Sequence, residues 1–117
     1  MDVSGHSTVA DPSLSGPGEK KVAWARSRMP ALAALREAAE RDLPLNGQRV
    51  AGCLHVTKET AVLIETISAA GAEISWSGCN PLSTQDEVAA WLASEGYGVH
   101  ARHRQSTEHF YRSIDRT

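Results

Sequence analysis

Residues 50–77, VAGCLHVTKETAVLIETISAAGAEISWS, contain two short segments typical of strands on either side of a helical pattern. Val50–Leu54 is an apolar run of the kind found in strands that are buried on both faces of a sheet, and Glu73–Ser77 predicts a second strand. Between them, Thr57 is suited to cap a helix over about residues 58–70, and Gly71 is suited to end it. Strand–helix–strand order implies a right-handed crossover and a parallel sheet. This segment therefore predicts an α/β fold.

The pattern continues on the C-terminal side. Asn80-Pro81 turns the chain, and Ser83-Thr84-Gln85-Asp86 resembles a capping box that opens a helix to about Glu95. Residues 98–101 predict a short third strand, and residues 106–115 predict a last helix.

Two helices are expected on the N-terminal side. The first runs from about Glu19 to Arg28, and the second opens at Met29-Pro30, because proline suits a first helical turn. We therefore expect a three-layer, Rossmann-like partial domain with a short parallel sheet of about three strands, flanked by helices and preceded by two helices.

Residues 1–18 are rich in Ser, Gly and Pro, and Gly16-Pro17-Gly18 is expected to interrupt any helix. We predict a disordered tail over residues 1–18 and one domain over residues 19–117.

Bulk composition excludes several classes of function. The 117 residues carry 12 basic and 14 acidic side chains, a net charge of −2, which gives no reason to expect nucleic acid or an anionic membrane as a partner. No apolar run approaches the roughly 20 residues that span a bilayer, and the N-terminus lacks the pattern of a secretory signal. Two cysteines are too few for a disulfide framework, so we expect free thiols and a cytoplasmic protein.

Polar side chains follow the first two predicted strands, where ligands bind in open parallel sheets. The first group is His55, Thr57, Glu59 and Thr60, and the second is Cys79, Asn80, Ser83 and Gln85. A histidine here can move protons near neutral pH. Thr57 and Ser83 are also explained as helix caps and Asn80 as a turn residue, whereas neither role requires His55.

Three patterns carry less weight. Gly96–Ala101 matches the G-x-G-x-x-A string of dinucleotide sites, but its glycines precede the predicted strand and no helix opens on them. The histidines at 100, 103 and 109 lack carboxylates or cysteines at ligand spacing, which favours a solvated loop. Cys53 is expected to be a small buried side chain in mid-strand.

Two long motifs carry a resemblance to a known family. Residues 53–66, together with 71–73 and 79–90, are similar to the signatures of the S-adenosyl-L-homocysteine hydrolases, and residues 20–25 are similar to the family's opening helix. The similarity extends over about residues 11–117.

The resemblance implies an activity and roles for particular residues. The family reversibly hydrolyses S-adenosylhomocysteine to adenosine and homocysteine, with bound NAD oxidising the ribose 3′-hydroxyl. By motif, His55 corresponds to the proton-transferring histidine beside the ribose, and Thr57 to a contact of a ribose hydroxyl. Glu59 and Thr60 would bind the adenine edge. Asn80 and Ser83 would line the substrate cleft.

The chain also departs from the family pattern. The NAD-binding domain and its glycine fingerprint are not in these residues, so we expect a truncated hydrolase that is inactive alone and binds no NAD by itself. The alternatives are a split hydrolase whose partner chain supplies the NAD domain, and a non-catalytic adenosine-binding or regulatory module. In each case exposed sheet edges and an apolar face are expected to favour self-association. Arg104 stands where the family has a glycine, in a turn that needs positive φ.

Overall fold

The computed structural model describes residues 7–117 and places four parallel strands in one sheet, in the order β1-β4-β3-β2. The strands are β1 (Thr8–Val9), β2 (Arg49–Cys53), β3 (Glu73–Ser77) and β4 (Gly98–Ala101). A short 3-10 helix (Pro12–Leu14) follows β1, and the α-helices are α1 (Ser15–Ser27), α2 (Pro30–Asp42), α3 (Lys58–Ala69), α4 (Asp86–Ser94) and α5 (Thr107–Arg116). The α/β class and the parallel sheet are thus confirmed.

Helix α3, at the centre of residues 50–77, forms as its sequence predicts. The side chain of Thr57 accepts a hydrogen bond from the backbone N–H of Thr60 at 3.4 Å, which caps α3. Gly71 follows the helix with a φ of +101°, a conformation that glycine adopts without steric cost. Strands β3 and β4 have the predicted bounds.

The prediction that Gly16-Pro17-Gly18 interrupts any helix is wrong, and residues 1–6 of the predicted tail lie outside the described residues. Helix α1 begins at Ser15 and runs through Gly16-Pro17-Gly18. Pro17 lies in the first turn, where backbone N–H groups have no helical partner in any case. Gly18 is buried against α4, and a Cβ there would collide with the carbonyl oxygen of Glu87. The glycine therefore allows two helices to pack closely.

The residues before the 3-10 helix add a fourth strand to the three that were predicted. Thr8 pairs with His100 in the parallel ladder. The Ser7 hydroxyl donates to the Tyr97 carbonyl at 2.8 Å and accepts from the Val99 N–H at 3.1 Å. These bonds extend the sheet beyond β4.

Strand β2 is more exposed than its apolar sequence predicted. It lies at the end of the strand order and pairs with β3 alone among the described strands. Its residues alternate between exposed and half-buried, so the prediction of burial on both faces is wrong. Cys53 is exposed for the same reason, which corrects its interpretation as a buried side chain.

The core lies between one face of the sheet and helices α1, α3 and α4. Trp76 projects from β3 into this core and is 4% exposed. The facing residue of β2 is Gly52, where a Cβ would lie within 2.5 Å of three carbons of the Trp76 ring. The indole Nε1 donates to the Leu54 carbonyl at 3.3 Å, so the buried ring also fixes the end of β2.

A buried carboxylate joins three helices. Glu65 of α3 is 6% exposed and accepts hydrogen bonds from Arg26 of α1, at 2.6 and 3.0 Å, and from Arg36 of α2, at 3.3 Å. The hydrogen bond to Glu65 raises the pKa of Arg26. Only the carboxylate is buried, so removing either arginine leaves a buried charge with less compensation, which is costly.

Candidate active site

Two loops follow the carboxyl ends of neighbouring strands, which is where ligands bind in open parallel sheets. The first loop, residues 54–57, joins β2 to α3, and the second loop, residues 78–85, joins β3 to α4. They meet where the Nδ1 atom of His55 lies 3.5 Å from the Sγ atom of Cys79. Both side chains are exposed, so this pair faces solvent.

Hydrogen bonds hold the second loop against the first loop and the start of α3. The Gln85 N–H donates to the Val56 carbonyl at 2.9 Å, and the Leu54 N–H of the first loop donates to the Ser77 carbonyl at the end of β3 at 3.1 Å. The Gln85 side chain also accepts from the Lys58 N–H at 3.1 Å, at the start of α3. The first loop therefore cannot move far without the second.

Thr57 and Thr60 face each other across the first turn of α3. Their hydroxyl oxygens are 3.3 Å apart, and Thr60 is 7% exposed. The capping bond uses one lone pair of the Thr57 oxygen and leaves the other available. A helix cap and a ligand contact are thus compatible at Thr57.

Glu59 is an exposed carboxylate at the N-terminus of α3. Its Oε1 lies 3.2 Å from Lys58 Nζ. Burial raises the pKa of Glu59, but hydrogen bonds from its own backbone N–H, Lys58 and Thr57, with the charge of Lys58, lower it more. The net effect is a lowered pKa, so at neutral pH Glu59 is ionised and can only accept hydrogen bonds.

Asn80 and Ser83 shape the second loop. Asn80 Oδ1 accepts from the Leu82 N–H at 2.7 Å, and the Ser83 hydroxyl donates to the Asn80 carbonyl at 3.3 Å. The predicted capping box is wrong, because α4 begins at Asp86 with Gln85 as its N-cap residue. Ser83 instead closes the turn, which leaves the amide nitrogen of Asn80 available on an exposed side chain.

A third loop, residues 102–106, braces the second. The His103 N–H donates to the Asp86 carboxylate at 2.8 Å, and the Arg104 N–H donates to the Pro81 carbonyl at 2.7 Å. Arg104 has a φ of +59°, which confirms that this turn needs positive φ. Three loops at one edge of the sheet are therefore joined in series.

Of the predicted site residues, the structure brings His55 directly against the other loop, while the remaining five contact residues of their own loop or of α3. Sequence reasoning did not identify Cys79 as the partner of His55, nor Gln85 as the bridge between loops. The available signal was that Cys79 follows β3 by two residues, on the strand adjacent to β2.

The glycines at 96 and 98 do not form a phosphate-binding loop of the dinucleotide type. Gly96 precedes β4 with a φ of +94°, and Gly98 begins the strand, whereas a phosphate-binding loop leaves a strand and opens a helix. Residues 7–117 contain no group of three or more His, Cys, Asp or Glu side chains that could hold a metal ion. His100 is buried in β4, with Nδ1 3.3 Å from the Thr8 hydroxyl, so the expectation of a solvated loop is wrong for this histidine.

A separate groove of about 480 Å³ lies on the sheet face opposite the core. It is bordered by β2, β3, β4 and the end of α5, with Arg49, Ser75 and Arg116 in its lining. None of the six candidate site residues lines it.

A parallel sheet with polar loops at its carboxyl edge defines a Rossmann-like α/β domain, in which the candidate site lies beside helix N-termini. The family model described as S-adenosyl-L-homocysteine hydrolase matches residues 6–117. The chain therefore belongs to the S-adenosyl-L-homocysteine hydrolase family.

Curated relatives carry two related names. The chain is 48% identical over 112 residues to the S-inosyl-L-homocysteine hydrolase of Methanopyrus kandleri, covering 96% of this chain and 26% of that protein. It is 53% identical over 102 residues to the adenosylhomocysteinase of Aeropyrum pernix, covering 87% of this chain and 24% of the relative. It is 49% identical over 106 residues to that of Sulfolobus acidocaldarius, covering 91% and 26%. The chain thus spans about a quarter of the length of these relatives.

Within residues 7–117, no helix has both the length and the apolar character needed to cross a membrane.

Proposed function

We propose that this chain forms the adenosine-facing part of a hydrolase that cleaves S-adenosyl-L-homocysteine, with His55 moving a proton beside the ribose. The position of His55 carries the proposal. Its imidazole is exposed at a strand end, Nδ1 contacts Cys79, and no residue among 7–117 bonds Nε2. An exposed ring nitrogen held in one direction can exchange a proton with a bound ligand near neutral pH.

The first turn of α3 would bind the nucleoside. Glu59 is ionised and only accepts hydrogen bonds, which complements the exocyclic amino group of adenine. Thr60 would support this contact, and the remaining lone pair of Thr57 would receive a ribose hydroxyl. On the facing loop, the amide nitrogen of Asn80 would donate to the ligand beside Ser83.

Glu59 also favours an adenosyl over an inosyl substrate, a distinction raised by the names of the relatives. The 6-oxo group of hypoxanthine is an acceptor and would face a carboxylate that cannot donate. A site arranged for a donor rejects a ligand that presents an acceptor, because both groups lose their partners.

NAD in this family supplies the oxidation of the ribose hydroxyl, and we propose that it is held by polypeptide outside these 117 residues. The glycine placement at residues 96–98, before rather than after a strand, supports this division. The same proposal places the protein in the cytoplasm, where two exposed cysteines stay reduced.

Adenosine binding tests the proposal directly. In ¹⁵N-labelled chain, adenosine at millimolar concentration should shift the amide signals of residues 55–60 and 79–83. Binding will be weak, because contacts from one side of a ligand must offset the full entropy of association.

Inosine serves as the matched ligand, and Glu59→Gln as the matched variant. Glu59→Gln should bring the affinities for adenosine and inosine closer together, because glutamine can donate a hydrogen bond to the 6-oxo group of inosine. The control is Glu37→Gln, an exposed glutamate of α2 that lies outside the two loops. Absence of shifts in both loops at millimolar adenosine would overturn the proposal.

A further inference from the structure

The contact between His55 and Cys79 is the one side-chain hydrogen bond that joins the candidate histidine to the opposite loop in the described chain. At 3.5 Å from Sγ to Nδ1 it lies within the range for sulfur. A ring nitrogen can accept from a thiol, and the other ring nitrogen then carries the proton of a neutral imidazole. The thiol can thus influence both where the ring points and which nitrogen holds its proton.

The other cysteine makes a different bond. Cys53 Sγ lies 3.6 Å from the carbonyl oxygen of Gly78, which directly precedes Cys79. A carbonyl only accepts, so this bond requires the Cys53 thiol to keep its proton. Cys53 steadies the backbone of the second loop, while Cys79 alone meets a group that can accept its proton.

The arrangement has no explanation in the fold. Both cysteines are exposed, so neither fills the core. The second loop is already held by the backbone bond from Gln85 to Val56 and by the bond from the Lys58 N–H to the Gln85 side chain. The contact therefore adds little to loop docking and acts on the imidazole itself.

We propose that Cys79 is a positioning residue that orients the His55 imidazole and directs Nε2–H at the ligand. This deepens the function proposed above and rests on it, because it assigns a purpose to the direction of the ring. The thiol donates to Nδ1, the ring is held in one orientation, and its free N–H is presented to the nucleoside.

Three variants of the 117-residue chain test this. Cys79→Ala should release the ring, averaging the NOEs between His55 ring protons and residue 79, and should weaken adenosine binding about three- to tenfold, the effect of losing one hydrogen bond. Cys79→Ser retains a donor and should restore binding to within about twofold. Cys53→Ser should leave binding unchanged.

A second measurement, the effect of His55 on the reactivity of Cys79, does not depend on adenosine. Thiolate is the form that reacts with iodoacetamide, and a neighbouring imidazole can accept the thiol proton. Near neutral pH, Cys79 should be alkylated several times faster than Cys53. His55→Gln should remove that advantage without changing the rate at Cys53.

These arms separate the two proposals. If the native chain does not bind adenosine but the NOE and alkylation results are as expected, the proposed function is rejected and the positioning role is kept. Equal alkylation of the two cysteines, or an unchanged ring in Cys79→Ala, would overturn the positioning role.

Discussion

Replacing Gly52 with alanine should destabilise the whole domain, although the change adds one methyl group on an edge strand. The new Cβ would lie within 2.5 Å of three carbons of the Trp76 ring. Ordinary carbon–carbon contact begins near roughly 3.5 Å, so the ring must move by about 1 Å or more. Trp76 is 4% exposed, and its movement would disturb the packed core.

Two effects contribute to the expected decrease in the free energy of unfolding. Overpacking of a core costs about 1–3 kcal/mol. Displacing the indole also breaks its hydrogen bond to the Leu54 carbonyl, worth about 1 kcal/mol. The expected decrease in the free energy of unfolding is therefore about 2–4 kcal/mol, a large share of the roughly 5–15 kcal/mol that stabilises a typical domain.

Urea unfolding followed by tryptophan fluorescence measures this decrease. With a slope of about 1–3 kcal/mol per molar urea, the midpoint should fall on the order of 1–2 M. The matched control is Gly16→Ala in the first turn of α1, where a Cβ meets nothing within 4 Å. Its stability should stay equal or rise slightly. A Gly52→Ala variant within about 0.5 kcal/mol of the native chain would refute the reasoning.

Three further predictions address other parts of the fold. Arg104→Gly should raise the free energy of unfolding by about 0.5–1 kcal/mol, because glycine relieves a left-handed backbone at some entropic cost; a lower melting temperature would contradict this. Lys21 lowers the pKa of Glu87, so the pair stabilises the fold above the usual carboxyl range and loses that effect as pH falls through the lowered pKa. Lys21→Met should therefore weaken the chain against urea at pH 7 but not at strongly acidic pH, and an equal loss at both would reject the pair. Gly18→Ala should separate α1 from α4, since its Cβ would lie 2.9 Å from Trp91 Cβ; an unchanged urea midpoint would show that the helices adapt freely.

The parts of the fold that sequence predicts well are those whose signals are local. Strands β3 and β4 have the predicted bounds, and Thr57 caps α3 as its position indicates. Strand β1 has two residues, too few for any alternation to be visible, and it depends on bonds to residues more than 90 positions away.

The errors share one cause, which is that sequence does not say what packs against what. From sequence alone Gly18 predicts a helix break, whereas in the structure it allows α1 to pack closely against α4. The apolar run of β2 does not reveal whether a strand is central or at an edge, so Cys53 was expected inside and lies outside.

Sequence likewise predicts some features of the candidate site and not others. The rule for strand ends finds His55 and the polar residues of both loops from sequence alone. It does not find which of them meet, because the contact with Cys79 depends on the order of β2 and β3 and on the path of the second loop.

The carboxylate of Glu65, enclosed by arginines from two helices, makes α1, α2 and α3 interdependent in any attempt to redesign or exchange them. A helix pair grafted from another protein would need to bring its own two guanidiniums in the same geometry, or α3 would have to lose its acid at the same time. Substituting either arginine alone leaves the buried carboxylate less compensated, whereas a coordinated apolar replacement of all three side chains does not. Substitutions at positions 26, 36 and 65 should therefore be made and compared as one set.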